Sequence, residues 1–531
     1  MGLRLPGQRS ATVSDERPQA NATGAGATVL PSPPDDIQRD VYWQRRAPVL
    51  IVGGLGALLV TLIATTRLTL VEHSFAPYFV VVIALAVVGL AAIWGHASKV
   101  STSRAAHRAL VDWWAPAYWP TVDVWLPICN EPREVLLNTW KHIAALQWPG
   151  MLKVTVLDDG GDPEVAALAE GFGFAYLCRP NRGWMKKSGN LQFAYQQTSG
   201  AFVSIFDADF CPRPDFLLEL MPYFDDPALG IVQSPQYFDV TMNQGWLQRG
   251  AGAVQELFYR GIQPGRDAHG AAVCVGTNAI YRRAALDSNG GTTIIGHSED
   301  VHTGFDLARN GWTLRYVPVI LATGVCPADV SSFFRQQYRW CVGSMSLVTS
   351  RKFWNASLSL RARACYLGGF GYYAATAIAV LIGPAVPLAL LLWFPELIHL
   401  RNYVLLTPIF LWRFVMFPRW HRCRYGLEAW TVSLIYGWAH LFALIDVARG
   451  RPMGWRPTGS AGGRELRDRI LIGALVLWSG VLSVTWLVIA GVRDLDMDGA
   501  HLNFIPMMAL GAFSVAVVAR AFTPVARRKV A

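Results

Sequence analysis

Six apolar stretches, all but the fourth uncharged, constrain this chain more than any other feature: about 47–66, 74–95, 365–395, 402–418, 470–492 and 502–519. Each comes near the length that an α-helix needs to cross a bilayer, where only helices or closed barrels satisfy their own backbone. Two precede and four follow a long polar block, residues 100–350. Apolar types make up 52% of the 531 residues and charged types 16%, which points to an integral membrane protein with a soluble portion. Arg413 interrupts the fourth stretch. An arginine there either snorkels to the cytosolic end or faces a polar cavity.

Cations set the orientation. Arg45, Arg46, Lys99, Arg104, Arg419, Arg422, Arg424, Arg527, Arg528 and Lys529 all fall on one side if the six stretches span. The opposite loops, 67–73, 396–401 and 493–501, are short and poor in cations. Both termini and the polar block are therefore expected in the cytosol of a multi-pass plasma (inner) membrane protein. A further apolar segment, 427–447, has arginines on both flanks, which favours a helix lying at the cytosolic interface.

Residues 1–42 are rich in Pro, Gly, Ala, Ser and charge, and read as a disordered cytosolic tail with no cleavable signal. The rest divides into 43–99 (two spanning helices), 100–350 (soluble domain), 351–523 (interfacial helices and four spanning helices) and a short tail, 524–531. Eight scattered cysteines without a C-x-x-C pair indicate neither a zinc ribbon nor a disulfide frame. The net charge of +10 is accounted for by cytosolic flanks, so nucleic acid is not an expected partner.

Strand-like runs in the soluble block each end in a polar motif. VDVWLP (122–127) leads into Cys129-Asn130-Glu131, LKVTVL (152–157) into Asp158-Asp159-Gly160-Gly161, and AFVSIF (201–206) into Asp207-Ala208-Asp209. Helical patterns at 132–146 and 163–172 alternate with them, the grammar of an α/β sheet with chemistry at its carboxyl ends. Asp158 and Asp159 suit a turn as well as a site. Asp207 and Asp209 point to one side of a strand end, where one divalent cation could bind; a solvated strand end is the plain alternative. Glu299 and Asp300 open a helical pattern, where acids are ordinary dipole partners. Gly276-Thr277 suits a tight turn or a backbone approach to a sugar. Lys187 lies in a basic loop, solvated or phosphate-binding. Gln336, Arg339 and Trp340 share one helix face, which offers an amide, a cationic fork and a flat ring to a diphosphate and a sugar.

In this order, DDG, DAD, ED and Q-x-x-R-W resemble the processive membrane glycosyltransferases of family 2, most of all bacterial cellulose synthase catalytic subunits and related β-glucan synthases. The resemblance covers about 40–520. It implies a GT-A-type α/β domain inserted in a helical transmembrane bundle, a nucleotide-sugar donor with UDP-glucose leading, and Mg2+ or Mn2+. It also implies a growing polysaccharide acceptor and accessory secretion subunits. Carried over residue by residue, it gives Asp158, with Asp159 and Glu131, to the nucleotide; Asp209 and Asp207 to the metal; and Asp300, beside Glu299, to the base that takes the acceptor's proton. Lys187, Gln336 and Arg339 would meet the diphosphate, and Trp340, Gly276 and Thr277 the acceptor. A gating loop near 450–462 would carry Trp455 and Thr458 in place of the family's F-x-V-T pattern.

Three departures bear on this. The aromatic expected before Asn130-Glu131 is Cys129, Phe210 replaces a histidine after D-x-D, and too few residues follow the last stretch for a cyclic-di-GMP-sensing PilZ domain. The competing expectations are a non-processive enzyme charging a polyprenyl phosphate and a non-catalytic scaffold.

Overall fold

A computed structural model describes residues 30–44, 47–96, 101–241, 243–450, 466–496 and 501–525. Residues 30–42 depart from the disordered tail expected of them. A short helix, Asp36–Arg39, is capped by Asp35, whose carboxylate accepts from the Gln38 amide at 2.7 Å. Arg213 donates to the Pro34 carbonyl at 2.8 Å and to Asp36 at 2.9 Å, and the Ile320 amide donates to the Arg39 carbonyl at 2.9 Å. Composition misleads here because the partners of these charges lie far along the chain.

Helices α1 (Ala47–Val71) and α2 (Ala76–His96) follow, and then the soluble block opens with β1 (Val122–Ile128), β2 (Leu152–Asp158) and β3 (Ala175–Leu177). Helix α3 (Lys186–Gln197) leads to β4 (Phe202–Ile205), β5 (Cys211–Pro212), β6 (Leu229–Gln233) and β7 (Tyr237–Phe238). After α4 (Trp246–Glu256) come β8 (Ala279–Arg282), α5 (Glu299–Arg309), β9 (Thr313–Tyr316), β10 (Ala322–Gly324) and α6 (Val330–Val348). The remaining long helices are α7 (Leu360–Trp393), α8 (Leu427–Ala448), α9 (Asp468–Leu495) and α10 (Ile505–Ala521).

Seven strands make one mixed sheet, ordered β3-β2-β1-β4-β8-β6-β9, in which β8 runs antiparallel to both neighbours. β1 is buried along its whole length, which its apolar run on both faces requires. Its parallel partners are β2 and β4, so Ile128 sits beside Asp158 and the three carboxyl ends share one edge. The strand order reverses at β1, which opens a crevice outside those ends.

Among the described residues, five helices are long and apolar enough to cross a membrane: Pro48–Val71, His73–Ala91, Leu360–Trp393, Leu427–Ala448 and Asp468–Leu495; α10 is shorter. The expected spanning stretch 402–418 is broken. It runs as a 3-10 segment (Leu400–Leu406), an α turn (Thr407–Leu411), a π turn (Trp412–Met416) and a last α turn (Phe417–Trp420), with Pro408 and Pro418 removing two amide donors. Trp412 packs on Gly53 and Gly54 of α1 and donates to the Leu50 carbonyl at 3.1 Å. The guanidinium of Arg413 lies 4.4 Å from the Trp430 ring centroid.

Helix α8 is fastened to the soluble block at both ends. Arg249 of α4 pairs with Glu428 at 3.3 Å, and Tyr338 of α6 donates to Asp446 at 2.6 Å. Nearby, Glu256 (3% exposed) and Arg260 (fully buried) pair at 2.6 Å. Glu256 also accepts from the Arg422 amide at 2.9 Å, while Arg260 donates to the Gln44 and Trp420 carbonyls at 2.9 and 2.7 Å. This knot joins strap, soluble block and helical bundle. Glu256→Ala should therefore lower stability by about 3 kcal/mol, because it strands a buried guanidinium. Thermal unfolding of the detergent-solubilised protein would register it, and an unchanged transition would mean that the knot relaxes.

Candidate active site

The crevice is lined by loops that leave β1, β2 and β4. At the end of β2, Asp158 is 1% exposed and its carboxylate accepts from the Gly160 amide (2.7 Å), the Asp162 amide (3.0 Å) and the Tyr176 hydroxyl (2.7 Å). Asp159 takes a two-pronged bond from Arg179 at 2.6 and 2.8 Å and another from the Gly183 amide at 3.0 Å. Turn and site coincide: these carboxylates hold the loop in shape at the mouth of the crevice. The sequence showed Arg179 only as part of a basic run. It is 1% exposed and also donates to the Trp184 and Lys186 carbonyls, at 2.5 and 3.1 Å, so it ties the 179–186 loop to the LDDGG turn. No local pattern marks it, since its acid partner lies twenty residues upstream.

Across the crevice, the Asp207 amide donates to Thr277 Oγ1 at 3.0 Å, which fixes the DAD loop against the Gly276-Thr277 strap. Lys187, in the first turn of α3, reaches Asp207 Oδ1 at 2.5 Å, the Gly276 carbonyl at 3.1 Å and Glu299 at 3.7 Å. Burial works to lower its pKa, but Asp207, Glu299 and Asp300 outweigh burial and hold it raised, so it is a firm ammonium. Asp209 moves the other way. Burial, then the charges of Asp207 and Glu131, push it up to about 7. Glu131, bonded to the Cys129 amide, is itself raised by burial.

The ED motif starts α5 from Ser298, a left-handed residue at φ 51°. Asp300 Oδ1 accepts from the Val301 amide at 2.8 Å. Burial and the neighbouring Glu299 push Asp300 up to about 7 against the pull of Lys187. Gly276 (φ +73°) is obligatory here, because a Cβ would stand 2.8 Å from the Asp300 Cβ. Helix α6 buries Phe334, Gln337, Tyr338 and Cys341 in the core and turns the half-buried face of Gln336, Arg339 and Trp340 the other way. Burial lowers Arg339 to about 10, and Glu299 opposes this. Gln336 Oε1 is buried with no hydrogen-bond partner among the described residues.

The structure thus gathers Glu131, Lys187, Asp207, Asp209, Gly276, Thr277, Glu299, Asp300 and Arg339 about one crevice, with Asp158 and Asp159 locked at its rim. Trp455 and Thr458 lie outside the described residues. Phe210 is 4% exposed and packs on Phe238, so it offers no ligand. Among the described residues no group of three or more His, Cys, Asp or Glu could hold a metal ion. Two carboxylates still fit a hard divalent cation that completes its shell from phosphate oxygens and water, and an acid held near 7 is one whose ionised form a cation would favour.

Residues 202–445 match the family model described as glycosyl transferase family group 2. The cellulose synthase catalytic subunit (UDP-forming) of Xanthomonas axonopodis pv. citri (strain 306) is 33% identical over 264 residues, 48% of this chain and 36% of its own length. The subunit of the same name from Pseudomonas fluorescens (strain SBW25) is 31% identical over 290 residues, 54% of this chain and 39% of its own length. The chain therefore spans well under half of these two relatives. Among solved structures, the mannosyltransferase PcManGT from Pyrobaculum calidifontis, in complex with GDP-Man and Mn2+, overlaps 75% of this chain and 97% of its own, at 16% identity and a TM-score of 0.49.

Proposed function

We propose that this chain, with its glycosyltransferase family 2 domain over residues 202–445, is an inverting, processive hexosyltransferase of the membrane. Its donor on this reading is a nucleotide sugar, UDP-glucose first, and its product a β-glucan moved across the plasma membrane as it grows. The observation that carries the reading is the pairing of two carboxyls raised to about 7, Asp209 and Asp300, around a lysine held charged. That arrangement puts two acids able to change charge near neutral pH and one fixed cation in a single crevice.

Asp300 accepts the proton of the acceptor hydroxyl. The hydroxyl oxygen bonds to C1 of an α-linked sugar as the C1–O bond to the diphosphate breaks, and the nucleoside diphosphate leaves with both bonding electrons. Attack from the opposite face gives the β product. Asp207 and Asp209 would hold a divalent cation, Mg2+ or Mn2+, which when bound would neutralise charge on the diphosphate. Lys187 and Arg339 add fixed positive charge to the same group, and Gln336 offers its unpartnered oxygen to a ligand hydroxyl. Asp158, Asp159 and Glu131 shape the nucleotide's rim, and Trp340 receives the acceptor ring.

The proposed domain order is two spanning helices, a cytosolic catalytic block at 100–350, and a C-terminal bundle, with both termini cytosolic. Helix α8 is assigned to the cytosolic interface. A helix standing across a bilayer could bond the soluble block at one end only, whereas Glu428 and Asp446 both do so. Accessory secretion subunits complete the proposed assembly.

Purified protein supplied with radiolabelled nucleotide sugars and Mg2+ or Mn2+ should convert one donor into high-mass, glycosidase-sensitive polymer. Label appearing only in an organic-extractable lipid would sink the polymerase reading.

A further inference from the structure

Arg266, in the helical turn Gln263–Asp267, is a buried cation with no acid on it among the described residues. The residue is 3% exposed, and Nε donates to the Ala271 carbonyl at 2.8 Å. Its guanidinium carbon stands 4.9 Å from the Tyr366 ring centroid. Burial lowers its pKa, and the groups that resist are Tyr366, Cys365 and Tyr373, none of them ionised at neutral pH. Such a cation is costly to keep unless something answers it. The neighbouring Asp267 does not, being engaged by Ser101, the Tyr316 amide and Arg315.

The surroundings show where the guanidinium points. A Cβ on Gly369 of α7 would lie 2.9 Å from Nη1, with no other contact within 4 Å beyond its own helix backbone, so glycine leaves open space at the nitrogen. One turn further along α7 stands Tyr373. Tyr373 meets Ser344 of α6 at 3.4 Å and the His440 ring of α8 at 4.8 Å. Tyr372 and Tyr436 flank the same imidazole. A row of hydroxyl-bearing rings therefore lines the junction of α6, α7 and α8, and Arg266 stands on Tyr366 two turns before it on α7. Phenols and an imidazole suit a hydroxylated ligand better than an alkyl chain.

Resting on the polymerase reading, we infer that Arg266 is an acceptor-binding residue. Its two Nη groups donate to neighbouring hydroxyls of the saccharide unit behind the one attacked at Asp300, which holds the chain end in register between additions. The fork geometry of a guanidinium matches two adjacent oxygens, which an ammonium cannot do.

The test is transfer from the productive nucleotide sugar to short β-linked oligosaccharides, with titration of its nucleoside diphosphate as the second readout. Arg266→Met should raise KM for the oligosaccharide at least about tenfold and shorten the polymer, leaving diphosphate affinity within about twofold. Arg266→Lys should recover only part of the loss. Gly369→Ala, favourable for a helix, should act in the same direction by displacing Nη1, which covers the case in which Arg266→Met fails to fold. Unchanged acceptor KM and polymer length in both Arg266→Met and Gly369→Ala would overturn the inference while leaving the polymerase reading standing. A wild-type protein that charges polyprenyl phosphate and makes no polymer would overturn both, with Arg266 then holding a lipid phosphate.

Discussion

Asp300→Asn is expected to abolish sugar transfer while the protein still binds nucleotide. A positioned base supplies roughly 10²–10⁴ in rate, so the loss should fall in that range or beyond it. Asparagine keeps the size of the side chain and can still accept from the Val301 amide, so the start of α5 should survive. Asparagine cannot take a proton. The pH profile gives a second check, because Asp300 is pushed up to about 7 by burial and by Glu299. A base works when ionised, so activity of the free enzyme should fall as pH drops through about 7. Glu299→Gln removes the neighbouring negative charge, which lowers the Asp300 pKa and moves the acid limb to lower pH. Turnover near the wild-type level in Asp300→Asn would assign the base elsewhere. An acid limb that stays in place in Glu299→Gln would mean that burial alone sets the shift.

The sheet and its motifs were legible because each buried strand is an apolar run cut off by a polar turn. Residues 122–127, 152–157 and 201–206 reappear as β1, β2 and β4, and the patterns at 132–146 and 163–172 as helices Arg133–Ile143 and Pro163–Gly171. Period and punctuation are local properties, and they carry this much. The residues that went unread act over distance. Arg179 is defined by Asp159 on another strand end, and Arg266 by a glycine on a helix a hundred residues later. The segment 30–42 was misjudged for the same reason: its charges look solvating until Arg213 and Glu219 are seen to meet them. Hydropathy alone also treated 402–418 and 427–447 by length and flanking charge. Two prolines and a π turn interrupt the α-helical bonding of the first, and polar bonds to α4 and α6 hold the second.

Asp209→Asn should have two opposite effects, on stability and on activity. Burial, Asp207 and Glu131 raise Asp209 to about 7, so its protonated form is the one the empty fold prefers. A carboxyl raised in the folded state contributes stability that is fully present below its unfolded pKa and is lost as pH rises through the folded value, at no more than about 1.4 kcal/mol per pH unit. Asp300 and Glu131 are raised as well and add to the same trend. The empty wild-type protein should therefore melt lower at about pH 8 than at about pH 6, and Mg2+ with nucleoside diphosphate should restore the difference by favouring the ionised acid. In Asp209→Asn the slope should flatten, the empty protein should melt higher at about pH 8, and the response to Mg2+ should vanish along with transfer. Asp207→Asn is the discriminating control. It removes the charge that helps to raise Asp209 and also frees Lys187, so it should lower the Asp209 pKa and lose the ion pair together. If Asp209→Asn instead kept both the wild-type pH slope and the Mg2+ response, the cation would have to sit on other oxygens, and the division of labour between Asp209 and Asp300 would fail with it.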